Sequence, residues 1–368
     1  MDINDERYMR LALELAKKGI YGVNPNPLVG AVVVKDGKII GKGYHKFFGG
    51  PHAEVYSLNE AGSDAKGGTI YVTLEPCSHS GKTPPCAEKI IEMGIKKCVV
   101  GSRDPNSLVS GKGIGMLRKA DIEVIEDVLK EECDWLNQVF FKYIRTGIPY
   151  LFLKCGITLD GKIALSNGIS KWITNDEARG KVQYYRSRFM GIMVGINTVL
   201  TDNPSLTART ENGRNPYRIV IDPNLKMEES QSIVKNNKDG KTVIVTSEKH
   251  RENTRQKILE KDYDVKFIYL EGFKFSFQKI LKEIGKMGID SVLLEGGEKL
   301  ISQAFREGAV DGGEIFVANK ILGDSGAKPF ISGFNPIKME DALLLKNVSN
   351  NIYGENIGME FYMKTYGS

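Results

Sequence analysis

His52-Ala53-Glu54, then Thr73-Leu74-Glu75-Pro76-Cys77, then Thr83-Pro84-Pro85-Cys86: the stretch from His52 to Cys86 decides how the first half of the chain is read. One imidazole and two thiols can give zinc three protein ligands. Three ligands leave a fourth tetrahedral position open for water, which is how a catalytic zinc is built. Glu54, two residues beyond His52, can handle protons beside that water. The same stretch dictates local structure. Gly49-Gly50-Pro51 breaks the chain and a helix starts near His52, with His52 and Glu54 in its first turn and Val55, Leu58 and Ala61 turned toward a core. Thr69–Leu74 reads as a strand ending on Glu75-Pro76-Cys77, and Pro84-Pro85 opens a helix with Cys86 in its first turn. Ligands of open α/β sheets bind outside the carboxyl ends of strands, where helix N-termini gather, so this spacing brings all three donors to that edge.

Outward from this stretch, residues 6–18 form a helix with Tyr8, Leu11, Ala12 and Leu15 on one face, capped by Gly19. Pro25 and Pro27 then force extended or turn geometry. Val29–Lys35 and Lys38–Tyr44 make a hairpin about Asp36-Gly37. Cys98–Gly101 and Ile122–Ile125 are strands, Ile114–Lys119 is a short helix, and Asp127–Ile144 reads as one longer helix. Alternation of this kind gives a three-layer α/β domain. Arg145-Thr146-Gly147-Ile148-Pro149 is polar and broken, which places a boundary between a domain at 1–146 and another at 147–368. The second half alternates again. Strands are expected at Tyr150–Cys155, Phe189–Gly195, Tyr217–Ile221, Thr242–Val245, Val265–Tyr269, Ser291–Leu294, Gly313–Ala318 and Met359–Thr365. Helices are expected at Asp176–Arg188, Glu248–Glu260, Phe277–Met287 and Glu298–Arg306.

The 368 residues are 41% hydrophobic and 26% charged, the balance of a globular protein with real cores and enough chain for two of them. The net charge of +5 comes from scattered basic residues. It suits phosphorylated small substrates, and no basic face interleaved with aromatics points to nucleic acid. No apolar run is long enough to span a membrane, and the acidic start of the chain is not a secretory signal. Five cysteines, an odd number, argue for a reducing compartment, so a cytoplasmic protein is expected.

A closed structural zinc site would need a fourth protein ligand, for which His79 is available. Gly81-Lys82-Thr83 ends like a phosphate-binding loop, but Pro76 stands where its first glycine belongs. Gly111-Lys112-Gly113-Ile114-Gly115 lacks dinucleotide-fingerprint spacing and reads as a loop. His250 has no visible partner, whereas His45 ends a strand that faces the proposed metal region.

His-x-Glu followed by Pro-Cys is the pattern of zinc nucleobase deaminases, but eight residues separate Cys77 from Cys86 where many such enzymes have two. Together with Asn24-Pro25-Asn26-Pro27-Leu28-Val29-Gly30 and Gly49-Gly50-Pro51, the motif resembles the bacterial bifunctional riboflavin-biosynthesis deaminase/reductase family. The resemblance continues through Lys154-Cys155-Gly156-Ile157-Thr158-Leu159-Asp160-Gly161, Ser170-Lys171-Trp172-Ile173-Thr174, Asn197–Pro204, Leu206-Thr207-Ala208-Arg209 and Leu294-Glu295-Gly296-Gly297, and so covers essentially the whole chain. It implies an N-terminal cytidine-deaminase-like three-layer α/β/α domain and a C-terminal dihydrofolate-reductase-like α/β domain. It further implies zinc-dependent deamination of a diaminopyrimidinone ribosylamino phosphate, followed by NADPH reduction of the ribosyl group to ribityl. One zinc per chain would be held by His52, Cys77 and Cys86 beside Glu54, with Asn24 and His45 at the deaminase substrate. Gly156, Trp172, Thr198, Asp202, Gly296 and Gly297 would meet the cofactor. Lys154, Ser170, Arg186, Leu206, Arg209 and Glu295 would surround the reductase substrate. A homo-oligomer acting on small phosphorylated pyrimidines is the expectation. The competing classes are a nucleic-acid base deaminase with an unrelated appended domain, and a non-enzymatic nucleotide-binding protein with structural zinc. Metal content and ammonia release separate them.

Overall fold

The structure is a computed structural model, which describes residues 3–78, 85–106, 110–170, 172–210 and 213–367. His79, Gly81-Lys82-Thr83 and Lys171 lie outside the described residues. The chain divides into two compact units, Met1–Thr146 with Tyr366–Ser368, and Gly147–Thr365. The last three residues thus group with the first unit.

The first unit is built on a five-stranded sheet: β1 (Gly30–Lys35), β2 (Lys38–Tyr44), β3 (Thr69–Leu74), β4 (Lys97–Ser102) and β5 (Glu123–Ile125), in the order β2-β1-β3-β4-β5. β1 is antiparallel to both β2 and β3, and β3, β4 and β5 run parallel. Strand alternation sorts the apolar residues onto two faces. Ala31, Val33, Ile70, Val72, Cys98 and Val100 pack under α2 (Ala53–Ala61), α3 (Cys86–Glu92) and α4 (Lys112–Lys119). Val32, Val34, Tyr71 and Val99 pack under α1 (Ile3–Lys17) and α5 (Lys130–Leu136). Gly43 lets α2 approach β2, since a Cβ there would stand 2.2 Å from the Ala53 carbonyl oxygen. That contact seats the first turn of α2 against the sheet.

The single helix expected over Asp127–Ile144 is two, α5 and α6 (Gln138–Thr146). Asn137 divides them. Its side chain is buried and bridges the main chain of Leu28, accepting from the N–H at 2.8 Å and donating to the carbonyl at 3.0 Å. Periodicity cannot register a helical asparagine recruited by a strand-entry loop far away in sequence.

The second unit carries a nine-stranded sheet ordered β11-β10-β9-β8-β12-β6-β13-β16-β15. Its strands are β6 (Tyr150–Thr158), β8 (Gly191–Gly195), β9 (Tyr217–Ile221), β10 (Thr242–Ser247), β11 (Lys266–Leu270), β12 (Ser291–Leu294), β13 (Gly312–Ala318), β15 (Ser349–Tyr353) and β16 (Asn356–Tyr362). β7 (Lys162–Ala164) and β14 (Lys328–Pro329) pair separately. The strands from β11 to β13 are parallel, and β16 and β15 extend the sheet antiparallel. The helices are α7 (Asp176–Arg188), α8 (Ile196–Asp202), α9 (Ser232–Lys235), α10 (Thr254–Tyr263), α11 (Phe277–Lys286) and α12 (Glu298–Arg306). Phe277, Ile280, Ile284, Ile301 and Phe305 from α11 and α12 close one core against Leu151, Leu153, Val243, Val245 and Leu294.

The helix expected from Glu248 starts later, at Thr254, because Asn253 caps it through the Arg255 N–H. The last strand ends at Tyr362, not Thr365, and α8 replaces what read as motif alone. All five cysteines are free thiols, and among the described residues no helix is long and apolar enough to cross a membrane.

Candidate functional site

At the carboxyl end of β3 the chain passes through Glu75 and Pro76 to Cys77. His52 is the N-cap residue of α2, and Cys86 is the first residue of α3. These three elements converge, so that one nitrogen and two sulfurs lie within 4.8 Å of one another, the one such cluster among the described residues. His52 Nδ1 stands 3.3 Å from Cys86 Sγ and 3.5 Å from Cys77 Sγ, and the Cys86 N–H donates to Cys77 Sγ at 3.3 Å.

The charges in this cluster conflict. Hydrogen bonding from Cys86 and from His52 favours the Cys77 thiolate, and the Cys77 hydrogen bond lifts His52 to about 9. Cys86 is pushed up, because its hydrogen bond to Cys77 and its burial both favour the thiol. Without a cation only one sulfur can carry charge comfortably. A dication lets both thiolates form with a neutral imidazole, which is the donor set and protonation that zinc requires. The residues present therefore fit that metal.

Glu54, in the first turn of α2, is buried, and its Oε2 has no hydrogen-bond partner among the described residues. Burial raises its carboxyl to about 7 against the opposing pull of His52. A carboxyl of that affinity exchanges a proton near neutrality.

His45 is also buried and meets His52 edge to face, ring centroids 5.5 Å apart. Its Nδ1 must donate to the Pro51 carbonyl, 3.0 Å away, since a carbonyl only accepts. Nε2 then carries the lone pair and accepts from the Asn26 amide at 3.2 Å. Burial lowers the His45 pKa, in keeping with a neutral ring. Asn24 is half-buried in the same loop as Asn26, and that loop is tied to the turn before His52 by the Phe48 N–H donating to Gly22 at 2.9 Å.

Two residues here were not singled out from sequence. Asn26 was visible only as part of a motif. Glu75 was read as part of a strand end, yet its buried carboxylate accepts from the N–H groups of Gly111 and Gly113 at 3.0 Å and of Asp104 and Ile114 at 3.3 Å. It anchors the start of α4 beside Cys77. A Cβ at Gly113 would stand 1.9 Å from the Pro76 carbonyl oxygen, so only glycine permits that approach.

In the second unit, Glu295 follows β12 and is gripped by Arg186 of α7, with Nε to Oε1 and Nη2 to Oε2 both at 2.9 Å. Lys154 Nζ from β6 lies 3.6 Å from Oε2. Burial alone would raise Glu295, but Arg186 and Lys154 outweigh it and hold it at about 2. Arg186 is thus committed to a carboxylate rather than standing open to a phosphate.

Gly297 caps α12 in extended geometry with no side-chain cap, and a Cβ there would meet nothing among the described residues, a helix start that an anion can approach. Those features fit a dinucleotide phosphate. Gly156 faces Thr174, and a Cβ there would come within 3.1 Å of its methyl group. Ser170 and Thr198 are half-buried, and Asp202 and Arg209 are exposed. The Leu206 side chain is buried at φ 51°, so any contact it makes with a ligand runs through its main chain. Trp172 is not a core residue but is exposed.

Family models match both halves. Residues 2–102 match the cytidine and deoxycytidylate deaminase zinc-binding region, and residues 149–357 match the RibD C-terminal domain. A riboflavin biosynthesis protein RibD of Actinobacillus pleuropneumoniae is 44% identical over 98% of this chain and 95% of its own length. The Escherichia coli protein of the same name is 39% identical over 87% and 89%. Acinetobacter baumannii RibD superposes with a TM-score of 0.88 at 36% identity, covering 98% of each chain. A Thermotoga maritima diaminohydroxyphosphoribosylaminopyrimidine deaminase/5-amino-6-(5-phosphoribosylamino)uracil reductase does so with 0.86 at 40%, again covering 98% of each.

Proposed function

This chain belongs to the RibD family of riboflavin biosynthesis proteins, and on that footing we propose which half and which residues carry each of its two reactions. The protein is a bifunctional enzyme, a zinc-dependent deaminase and an NADPH-dependent reductase, with the expected cytidine-deaminase-like and dihydrofolate-reductase-like α/β architecture. It acts on small molecules.

Residues 1–146 are the deaminase half. His52, Cys77 and Cys86 would hold zinc, which when bound acts as a Lewis acid toward the attacking water. Glu54 takes the proton that this water gives up and delivers it to the departing amine through the unpartnered Oε2. Asn26 and Pro51 fix the ring of His45 at the wall of the site, and Asn24 binds the pyrimidine edge.

Residues 147–365 are the reductase half. NADPH supplies the hydride. The main chain at Gly296 and Gly297 receives a cofactor phosphate, and Gly156, Trp172, Thr198 and Asp202 border the rest of it. Lys154 and Arg186 keep Glu295 ionised, so that it accepts hydrogen bonds from the ribosyl hydroxyls and fixes that carbon for transfer. Ser170, Leu206 through its main chain, and Arg209 complete the substrate side.

The observation that carries this reading is the buried, unpartnered Glu54 Oε2 beside three convergent zinc donors. Glu54→Gln tests it. The variant should retain one zinc per chain while ammonia release falls by about 10²–10⁴-fold. Near-normal release by a metal-loaded variant removes Glu54 from the mechanism, and a fourth protein ligand at His79 removes the open coordination position. We also place the protein in the cytoplasm as a homo-oligomer. Support for the oligomer comes from the exposed apolar side chains of Ile337, Met339, Leu344 and, on the edge strand β15, Ile352, and light scattering of the purified chain tests it.

A further inference from the structure

Trp172 is held in a way that its packing does not explain. Its side chain is 70% exposed, although indole is among the side chains with most to gain from burial. Its φ is 67°, a left-handed backbone that a bulky residue adopts only when its surroundings impose it. Those surroundings are identifiable. Lys320, just beyond β13, donates through Nζ to the Trp172 carbonyl. The Arg179 guanidinium, from the first turn of α7, lies 4.5 Å from the indole centroid. Arg179 is itself fixed, donating to the Thr174 carbonyl and to the Asp176 carboxylate. The indole therefore has a pinned main chain, a cation behind one face and solvent over the other.

The contact between Gly156 and Thr174 sets this segment against β6, two residues beyond Lys154. The strand that this segment meets is the one that carries Lys154 of the proposed substrate site, so the cofactor ring assigned to the indole is the nicotinamide. This step rests on Trp172 bordering the cofactor, as proposed above. We infer that Arg179 and Lys320 form a positioning pair that presents the indole to the nicotinamide ring, and that Arg179 thereby makes the site prefer reduced over oxidised cofactor. The dihydronicotinamide ring is neutral and electron-rich, and it stacks well on an indole whose electrons are drawn toward a cation on the far side. The oxidised ring carries a positive charge and meets a second positive charge across the indole. The reduced cofactor is retained and the spent one is released.

Trp135 and Trp172 are the two tryptophans of the chain, so Trp135→Phe leaves Trp172 as the sole reporter. In that background NADPH and NADP+ should each quench Trp172 emission saturably. Arg179→Met should lower the ratio of the NADP+ to the NADPH dissociation constant by about 3–10-fold, within the range of a cation–π contact, and should strengthen product inhibition by NADP+. Arg179→Lys should restore most of the ratio. Lys320→Met, which leaves α7 intact, should weaken both nucleotides together by about 2–5-fold with the ratio kept, as the indole loosens.

A ratio unchanged in an Arg179→Met protein of normal melting temperature overturns the proposal. So does Arg179→Lys behaving like Arg179→Met, or Lys320→Met without effect. Absence of quenching by either nucleotide in an enzyme that still oxidises NADPH shows instead that Trp172 does not border the cofactor, and the proposal falls with that placement. A change of mass in light scattering on Trp172→Ala assigns the exposed indole to contact with a second copy and also overturns it.

Discussion

Replacing Glu295 with glutamine should destabilise the second unit by several kcal/mol at neutral pH, and the size follows from the charges around it. The Glu295, Arg186 and Lys154 side chains are only 11%, 16% and 21% exposed. The carboxyl is held at about 2 against an ordinary 4.5. At about 1.4 kcal/mol per tenfold change in proton affinity, that difference corresponds to roughly 3 kcal/mol. Glutamine also leaves two largely buried cations without their counter-charge, for which losses of about 3–5 kcal/mol are usual. The sign with pH is fixed. A carboxyl depressed by folding contributes fully above its unfolded value, near 4.5, and loses that contribution as pH falls toward about 2. The gap between wild type and Glu295→Gln should thus be widest above pH 5 and close between about 4.5 and 2. Urea unfolding of the full chain at stepped pH measures it, the transition of the second unit being the one that NADPH moves upward. Adding Arg186→Gln to Glu295→Gln should recover part of the loss, because one stranded cation goes with it. A gap below about 1 kcal/mol at pH 7, or one that stays constant down to the acid limit, refutes the charge assignment.

Stripping zinc with a chelator should abolish ammonia release while leaving NADPH oxidation intact when the deaminated substrate is supplied, because His52, Cys77 and Cys86 all lie in the first unit; parallel ammonia and absorbance assays read it. Asn137→Ala should lower the stability of the first unit by about 1–3 kcal/mol, seen by calorimetry, because both of its hydrogen bonds to Leu28 are buried and their main-chain partners would be left unpaired.

The metal end of the first unit was legible because its information is local. Pro85 before Cys86, the glycines before His52 and the strand running into Cys77 each fix a helix start or a strand end within a few residues. Alternation then places strand ends and helix starts at one edge. What surrounds those donors was less legible. The lock on His45 depends on Asn26, nineteen residues earlier, and on the main chain of Pro51. Glu75 gathers N–H groups from residues 104 to 114, and nothing in Leu74-Glu75-Pro76 signals that its carboxylate points into a helix start. Side-chain roles that end on main-chain atoms leave no pattern of residue types to find.

In the second unit the elements were mostly read correctly and the partnerships were not. In sequence Arg186 is only one of the residues expected around the reductase substrate, because its partner lies 109 residues away, just after a strand that enters the sheet between β8 and β6. That insertion, with β12 returning between two strands already laid down, brings Glu295, Arg186 and Lys154 together, and no periodicity encodes it. The same limit hides Glu314 and Glu360. These two glutamates face each other across the antiparallel pair of β13 and β16, an arrangement that like charges disfavour. It is tolerated because Tyr185 and Tyr353 donate to Glu314 at 2.7 and 3.0 Å and Tyr362 donates to Glu360 at 2.5 Å. Burial accordingly raises Glu314, inside β13, whereas Glu295, just after the end of β12, is lowered by its two cations. Residue type gives both glutamates the same prior. Strand order gives one of them phenols and the other a guanidinium and an ammonium, and that difference holds Glu295 as a charged carboxylate, the state its proposed role at the reductase substrate requires, and makes Glu314 a fixed part of the sheet.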